Sequence, residues 1–193
     1  MEDSNRSTRK TMTAIKNIFL NLIEEKPYYK ISVSEITERA DISRSTFYLH
    51  YSDIYDLLQS IEKEVLSDVE EVVKKIKREK YVPGQHPQHT SVFEILYKHE
   101  YACKSLLSKN GDIEFLRKLE ETIASTLCRS WERYCGREND TPNIRMFSTY
   151  IAFGIIGIFS NQIKSGENVS IEEMGYFAGE VTNWIDESFV RKV

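Results

Sequence analysis

Proline and glycine are scarce in this sequence, which has 4 prolines and 8 glycines among 193 residues. Folds with many turns between short strands need more of both, so the scarcity argues against an all-β protein and against glycine-rich phosphate loops. No segment reaches the roughly 18–20 apolar residues of a membrane span, and the most apolar run, residues 150–159, is too short. The polar N-terminus lacks the apolar stretch of a signal peptide, so we expect a cytoplasmic protein with no membrane partner.

Signals for metal binding and catalysis are also weak. The cysteines Cys103, Cys128 and Cys135 have no CxxC spacing, so buried free thiols are favoured over oxidation sensors. His86 and His89 form a His-x-x-His pair, but they lie in a proline-rich segment with no second pair at ligand spacing, which favours a solvated loop over a zinc site. Nucleotide-binding and metalloprotease motifs are missing, so we expect no enzyme, no metal and no cofactor.

Apolar residues recur at helical spacing through most of the chain. The stripe of Ile15, Ile18, Phe19, Leu22 and Ile23 follows the pattern i, i+3, i+4, i+7, i+8 of one helix face. Similar patterns predict helices over about residues 7–25, 32–40, 43–50, 53–80, 91–99, 102–107, 112–134, 143–165 and 171–189. No strand pattern is present, so the sequence predicts an all-α fold of about nine helices.

Polar side chains mark where several of these helices begin. Ser32 and Glu35 match the S-x-x-E capping box, in which a hydroxyl and a carboxylate satisfy two backbone N–H groups. Residues 170–173 repeat this box before the last helix, and Ser43 is the expected cap of the third. Asp41 lies where a tight turn is needed, and Asp tolerates a left-handed backbone better than most residues.

A helix-turn-helix is predicted by the segment SVSEITERADISRSTFYLHY, in which two short helices flank that turn. The second helix of such a motif lies in the DNA major groove with its first residues at base edges. Arg44, Ser45 and Thr46 belong to that first turn, and Arg is the commonest reader of guanine. Tyr48 and His50, further along the helix, are expected to reach phosphates.

This segment resembles the DNA-binding domain of the TetR family of bacterial transcriptional regulators. The family's pattern is matched at residues 32–33, 36–37, 40–43, 48–51 and 53–57, and the resemblance covers about residues 8–60. A weaker similarity to one C-terminal subgroup lies near residues 106–116. The resemblance implies that base and phosphate contacts fall on Ser34, Arg44, Ser45, Thr46, Tyr48 and His50. The chain departs from the pattern at Asp41, Thr37 and Ile54, the last standing where the family has a phosphate-binding lysine.

Net charge argues against DNA binding. The whole chain carries −4, and residues 1–60 contain eight Lys and Arg against nine Asp and Glu. Arg6, Arg9 and Lys10 nevertheless cluster near the start of the chain, where a basic arm can reach phosphates or the minor groove. Two interpretations therefore stay open: a sequence-specific regulator, and a TetR-like interaction protein with weak or lost DNA binding.

The resemblance also implies a division of labour along the chain. Residues 1–52 would bind DNA, and residues 53–193 would form a helical effector-binding and dimerisation domain. Aromatic residues of the middle helices are candidates for a small-molecule pocket, with plain core packing as the alternative: Phe93, Tyr97, Tyr101, Phe115, Trp131 and Tyr134.

Gly154 and Gly157 lie inside the apolar helix predicted over residues 143–165. Glycine inside a helix costs about 0.5–1 kcal/mol of stability relative to alanine. A close approach by another helix would explain why glycine stands at both positions. In the family the last two helices form a four-helix bundle with a second subunit. The expected interface is Ile151, Gly154, Gly157, Ile158, Phe177, Val181 and Trp184, and the alternative is that these two helices simply cover the core of their own chain. The implied protein is a homodimeric repressor that binds a palindromic double-stranded operator and is released by an effector.

Overall fold

The computed structural model describes residues 2–75, 87–135, 142–166 and 169–185, and these residues are helical almost throughout. A 3-10 turn covers Tyr28–Lys30, and the described residues include no strand. The predicted all-α fold is confirmed. Its nine α-helices within these ranges are α1 (Glu2–Glu25), α2 (Val33–Arg39), α3 (Arg44–Tyr48), α4 (Ile54–Lys75), α5 (Pro87–Lys98), α6 (Glu100–Leu106), α7 (Ile113–Cys135), α8 (Pro142–Ser165) and α9 (Ile171–Ile185).

Several predicted helix ends were wrong. Helices α5 and α8 begin at Pro87 and Pro142, inside segments predicted as loops. Proline suits the first turn of a helix, because its missing N–H would have no intrahelical partner there. Helix α1 begins at Glu2 instead of near residue 7, and α3 ends at Tyr48 instead of near residue 50. The predicted ends of α4 and α9, and His86, lie outside the described residues.

The chain divides into two compact units. The N-terminal unit comprises Met1–Glu64 and Tyr101–Phe115, and the C-terminal unit comprises Val65–Glu100 and Leu116–Val193. Helix α6 therefore belongs to the same unit as the helix-turn-helix, although the chain reaches it much later. The functional division at residue 52 stays a prediction.

The N-terminal unit has a continuous apolar core. Four of the five residues in the predicted stripe of α1 are buried, and the fifth, Ile18, is half-buried. Phe47 fixes α3 to this core with no exposed surface; burying such a side chain contributes about 1.5–3 kcal/mol. The core side chains of this unit include Ile15, Phe19, Leu22, Ile23, Ile36, Phe47, Leu57, Leu58 and Phe115.

The turn between α6 and α7 is anchored within the N-terminal unit. The Asn110 carbonyl accepts a hydrogen bond from the Tyr28 backbone N–H at 3.1 Å, next to the segment that leads into α2. The Asn110 side chain donates to the Glu24 carbonyl at 3.5 Å. Gly111 is required here by space, because a Cβ on it would lie 2.6 Å from the Ser105 carbonyl oxygen. The turn is thus tied to the end of α1.

The C-terminal unit packs α5 against α9 most closely. A Cβ added to Gly175 of α9 would lie 2.7 Å from Thr90 Cα of α5, so this contact depends on glycine. Elsewhere in the unit Trp131 stacks on Phe147 with ring centroids 4.0 Å apart. Its buried side chains include Val92, Phe93, Leu96, Leu119, Ile123, Leu127, Ile144, Ile151, Ile155, Phe159 and Met174.

Candidate nucleic-acid interface

The turn between α2 and α3 has the predicted left-handed residue. Asp41 has φ +51°, and it is the one non-glycine residue with positive φ in the described ranges. The Asp41 N–H donates to the Glu38 carbonyl at 3.3 Å, and the Ile42 N–H donates to the Thr37 carbonyl at 3.0 Å. These two bonds close the turn and fix the direction in which α3 leaves it.

Both helices of the motif are capped as predicted. Ser32 Oγ accepts from the Glu35 N–H at 3.3 Å, and Glu35 Oε2 accepts from the Ser32 N–H at 2.9 Å. Ser43 Oγ accepts from the Thr46 N–H at 3.0 Å. Lys26, which hydrogen-bonds Glu35, and the Ser32 groups together lower the pKa of Glu35 from 4.5 to about 2. The capping carboxylate is therefore ionised at neutral pH.

Helix α3 buries one side and exposes the side chains predicted to contact DNA. Phe47 points into the core, whereas Tyr48 on the next position is 56% exposed. Arg44 and Ser45 are exposed. The remaining predicted contacts of the motif are half-buried: Ser34, Thr46 and His50.

Two of the predicted contact residues bond to each other. Arg44 Nη2 donates to Ser34 Oγ at 2.6 Å, joining the first residue of α3 to α2. Ser43 Oγ lies 2.6 Å from Ser45 Oγ and 2.8 Å from Thr46 Oγ1. Sequence spacing did not indicate the Ser34–Arg44 bond, because the two residues belong to different helices and meet through the turn.

Ion pairing separates the cations of the N-terminal unit into two groups. Arg39 bonds both carboxylate oxygens of Glu25 at 2.6 and 2.8 Å, while Lys26 pairs with Glu35 and Lys16 with Glu64. A second group has no acidic partner among the described residues: Arg6, Arg9, Lys10, Lys30 and Arg44. Residues 42–52 contain one side chain charged at neutral pH, Arg44. The net negative charge of the region therefore does not describe the surface of α3.

The residues predicted for the dimer interface fall into buried and exposed groups. Gly154 and Gly157 are exposed, and a Cβ on either would meet nothing of its own chain within 4 Å. Phe177 and Trp184 are 59% and 65% exposed. Ile151 is buried in the chain's own core, and Ile158 and Val181 are half-buried. Sequence reasoning missed three exposed apolar residues of α8, although they continue the helical spacing of Gly157: Met146, Tyr150 and Phe153.

Helix α8 is apolar on more than its core side. Among the described residues it is the one helix long and apolar enough, by length and composition, to cross a membrane, which corrects the expectation that no segment qualifies. Scattered polar residues interrupt the apolar runs of α8, so no single run in its sequence reaches the length of a membrane span. The structure buries 44% of its most apolar window, so one side of the helix belongs to the core.

The aromatic residues predicted to line a pocket occupy varied environments. Phe93 and Phe115 are fully buried core residues. Tyr97 is half-buried and meets Phe159 edge-on at 5.3 Å, and Tyr101 hydrogen-bonds Asn21 through its hydroxyl group. Trp131 stacks within the C-terminal core as described above, and the Tyr134 side chain lies outside the described residues. The pocket assignment stays a prediction.

Two open grooves lie in the C-terminal unit, and neither is lined by those aromatic residues. The larger, about 580 Å³, runs between α7 and α8, and the smaller, about 460 Å³, between α4 and α5. The larger groove brings together three arginines that sequence reasoning did not group: Arg117, Arg129 and Arg145. Arg117 is already bonded to Glu121 at 2.9 Å, and burial raises the pKa of Glu120.

The thiols and histidines form no metal cluster in the described part of the chain. Cys103 is a buried free thiol, and burial raises its pKa to about 12. Cys128 is free and half-buried. The side chain of Cys135 lies outside the described residues.

Comparison with known proteins identifies both halves of the chain. The family model for bacterial regulatory proteins of the TetR family matches residues 20–61. A second TetR model, described as a transcriptional regulator C-terminal region, matches residues 85–183. A curated relative, the uncharacterized HTH-type transcriptional regulator YxbF of Bacillus subtilis (strain 168), is 39% identical over 57 residues. That match covers 29% of this chain and 15% of the relative.

Solved structures share the fold along nearly the whole chain. A TetR/AcrR-family transcriptional regulator from Aquifex aeolicus VF5 has a TM-score of 0.60 at 20% identity, covering 91% of this chain and 99% of its own. The SmeT–triclosan complex has a TM-score of 0.58 at 14% identity, covering 90% of each chain. The C-terminal model by itself matches just over half of the 193 residues. The chain belongs to the TetR family of bacterial transcriptional regulators.

Proposed function

We propose that the protein is a homodimeric repressor that binds a palindromic double-stranded operator and is released from it by a small-molecule effector. The observation that carries the DNA-binding part is the exposed α3, where Arg44 is the single charged side chain on a surface of hydroxyl groups. That composition suits base edges, which offer hydrogen-bond donors and acceptors. A non-enzymatic regulatory role agrees with the family.

The proposed contacts differ in what they read. Arg44 on the first turn of α3 reads a guanine edge through two parallel N–H groups, with Ser45 and Thr46 beside it. Tyr48 at the end of α3 and His50 just after it donate hydrogen bonds to phosphates. Phosphate contacts fix the position of the protein along the duplex but do not read the base sequence. The arm residues Arg6, Arg9 and Lys10 are exposed at i, i+3, i+4 spacing, so one face of α1 presents all three charges to the DNA backbone.

Dimerisation is proposed through α8 and α9. Phe153, Phe177 and Trp184 each leave more than half of their surface exposed, and large exposed aromatic groups are typical of interaction sites. Gly154 and Gly157 leave room for a second helix to approach, since nothing of their own chain lies near. Two copies of α3 would then reach two half-sites of a palindrome.

Effector release is proposed to act through the turn between α6 and α7. The Asn110 carbonyl accepts a hydrogen bond from the Tyr28 N–H, and the Asn110 side chain donates to the Glu24 carbonyl. Because Glu24 lies at the end of α1 and Tyr28 lies between α1 and α2, a ligand that displaces residues 101–115 would disturb the connection between these two helices. An apolar or aromatic effector is the class we propose, supported by the aromatic content of the middle helices and by triclosan in the complex with SmeT. Such a ligand shifts the population toward a form that fits the operator poorly.

The DNA-binding proposal is tested by selection from a random library of 20-base-pair duplexes with the full chain. We expect enrichment of a palindromic motif and an affinity that falls steeply with salt. Failure to enrich any motif would instead support the interaction protein, which is favoured by Ile54 in place of a phosphate-binding lysine. Ile54→Lys is the matched variant, and it should tighten binding to all duplexes and steepen the salt dependence.

The effector proposal is tested with a panel of apolar aromatic compounds against the protein bound to the selected duplex. A compound that raises the melting temperature of the free protein should weaken DNA binding, because linkage makes the two effects reciprocal. A compound that stabilises the protein and leaves the DNA affinity unchanged would contradict the coupling.

A further inference from the structure

We propose that Ser34 is a positioning residue that orients the Arg44 guanidinium for base reading, so that α2 helps to determine which base α3 recognises. The inference rests on the proposed DNA binding and deepens it. It replaces the direct DNA contact expected of Ser34 with an indirect role in specificity.

The hydrogen bond between the two residues is short and joins two fixed points. Arg44 Nη2 lies 2.6 Å from Ser34 Oγ. Ser34 is the second residue of α2, whose start is held by the Ser32–Glu35 capping box and not by Ser34. Arg44 begins α3, whose start is held by Ser43. The Ser34 hydroxyl is therefore available to hold another side chain, and it stands on a well-anchored helix.

Bonding to Ser34 leaves Arg44 able to read a base. A guanidinium has five N–H donors, and Ser34 Oγ takes one of the two on Nη2. The other Nη2 N–H still forms a parallel pair with a neighbouring N–H of the same group, which is the geometry needed for guanine O6 and N7. An arginine side chain also loses much rotamer freedom when it binds, and a side chain already held by Ser34 loses less.

The neutral partner distinguishes Arg44 from two other cations of the N-terminal unit. Arg39 is held by both oxygens of Glu25, and Lys26 is held by Glu35. A carboxylate at position 34 would orient Arg44 equally well but would cancel its attraction for DNA and repel the phosphates. A hydroxyl group orients the guanidinium and leaves its charge intact.

The test is a double-mutant cycle on the full chain with Ser34→Ala, Arg44→Ala and the double variant. The probes are a 20-base-pair duplex selected by the wild type and its single-base-pair variants. We expect Ser34→Ala to weaken binding about 10-fold, equivalent to about 1.4 kcal/mol. Ser34→Ala should also discriminate less between bases at the one base pair where Arg44→Ala loses discrimination, and it should discriminate as the wild type does at every other base pair. In the Arg44→Ala background, Ser34→Ala should change affinity by less than about twofold, because coupled residues are not additive.

A direct phosphate contact by Ser34 gives the opposite pattern. Ser34→Ala would then weaken binding to every duplex equally and by the same factor in both backgrounds, which would overturn the proposal. Ser34→Thr keeps the hydroxyl and should retain both affinity and base preference. Should Ser34→Ala lower the melting temperature, Ser34→Cys, nearly the same size with a weak acceptor, repeats the comparison.

A wild type that selects no motif defeats the DNA-binding proposal before the cycle begins. A wild type that selects a motif but shows no coupling between Ser34 and Arg44 defeats the positioning role alone.

Discussion

The helix pairs α2–α3 and α8–α9 differ in where their exposed side chains find partners. In α2–α3 the polar side chains bond within the motif, as in Ser32 with Glu35 and Arg44 with Ser34. In α8–α9 large apolar side chains remain at the surface, and two helical glycines face open space. We propose that the first pair is complete within one chain and that the second is half of a dimer interface.

This difference agrees with the proposed division into a DNA-binding part and a dimerising part. A DNA-reading motif must be rigid before it meets its target, so local caps and a fixed turn are needed in each chain. A symmetric dimer interface is built from the same surface on both copies and is completed only on association.

Closing the open space at Gly157 should abolish the dimer. Overpacking costs about 1–3 kcal/mol per site, and a two-fold axis places Gly157→Leu in the interface twice, for about 2–6 kcal/mol in total. Sedimentation should show a wild-type dimer and a monomeric variant. Glu172→Leu is the control, since Glu172 is exposed on α9 away from the side of Phe177 and Trp184. A wild-type monomer at micromolar concentration would contradict the interface.

Gly175 should behave differently, because its space is filled by its own chain. Gly175→Ala would place a methyl group 2.7 Å from Thr90 Cα, and we expect a loss of about 1–3 kcal/mol of unfolding free energy. Gly154→Ala, measured at concentrations where the chains are dissociated, is the matched control. It should gain up to about 1 kcal/mol from helix propensity. Equal denaturation midpoints for Gly175→Ala and the wild type would mean that α5 and α9 are not in contact at Thr90.

The two capping boxes allow the same substitution in both regions. The structure also has the box before α9, where Ser170 Oγ accepts from the Glu173 N–H at 3.2 Å and Glu173 Oε2 accepts from the Ser170 N–H at 2.9 Å. Ser32→Ala and Ser170→Ala each remove one cap, and we expect each to cost about 0.5–2 kcal/mol. Only Ser32→Ala should also weaken DNA binding, because α2 supports Arg44 through Ser34. Chemical denaturation combined with a binding titration measures both effects. Equal losses of DNA affinity in the two variants would show that stability, and not α2 itself, limits binding.

A smaller change in unfolding free energy should accompany protonation of Glu35 in the α2 cap. The folded pKa of Glu35 is about 2, below its ordinary value of 4.5. A lowered folded pKa stabilises the folded state above pH 4.5, and that stabilisation is lost as pH falls toward 2. Glu35→Gln retains an acceptor for the cap but no longer titrates, so its unfolding free energy should fall less than that of the wild type over this range. Parallel curves for the two proteins would refute the assignment.

The sequence was most informative where structure depends on neighbouring residues. The caps at Ser32 and Ser43, the left-handed Asp41 and the buried Phe47 were all predicted, because each follows from local hydrogen bonding or periodicity. Pro87 was misread as part of a loop, since proline is compatible with both a loop and the first turn of a helix.

Contacts between distant segments could not be predicted in the same way. Gly175 gave no signal in the sequence, because its need for space depends on Thr90 of another helix. Phe93 and Phe115 show why aromatic content does not locate a pocket: a buried core residue and a pocket-lining residue follow the same helical pattern. Helix α6 belongs to the N-terminal unit. This too could not be predicted, because it depends on contacts between residues far apart in the chain, such as the hydrogen bond from the Tyr28 N–H to the Asn110 carbonyl.

The base preference of Arg44→Ala shows whether the exposed helix α3 reads the DNA sequence. Binding of wild type, Arg44→Ala and Arg39→Ala to the selected duplex and to a scrambled duplex should be titrated at two salt concentrations. Arg39 is the matched control, because Glu25 already holds its guanidinium. We predict that Arg44→Ala loses about 1–3 kcal/mol on the selected duplex, little on the scrambled one, and its preference at one base pair per half-site. An equal loss on both duplexes would mean that Arg44 is a phosphate contact and that α3 does not read the sequence.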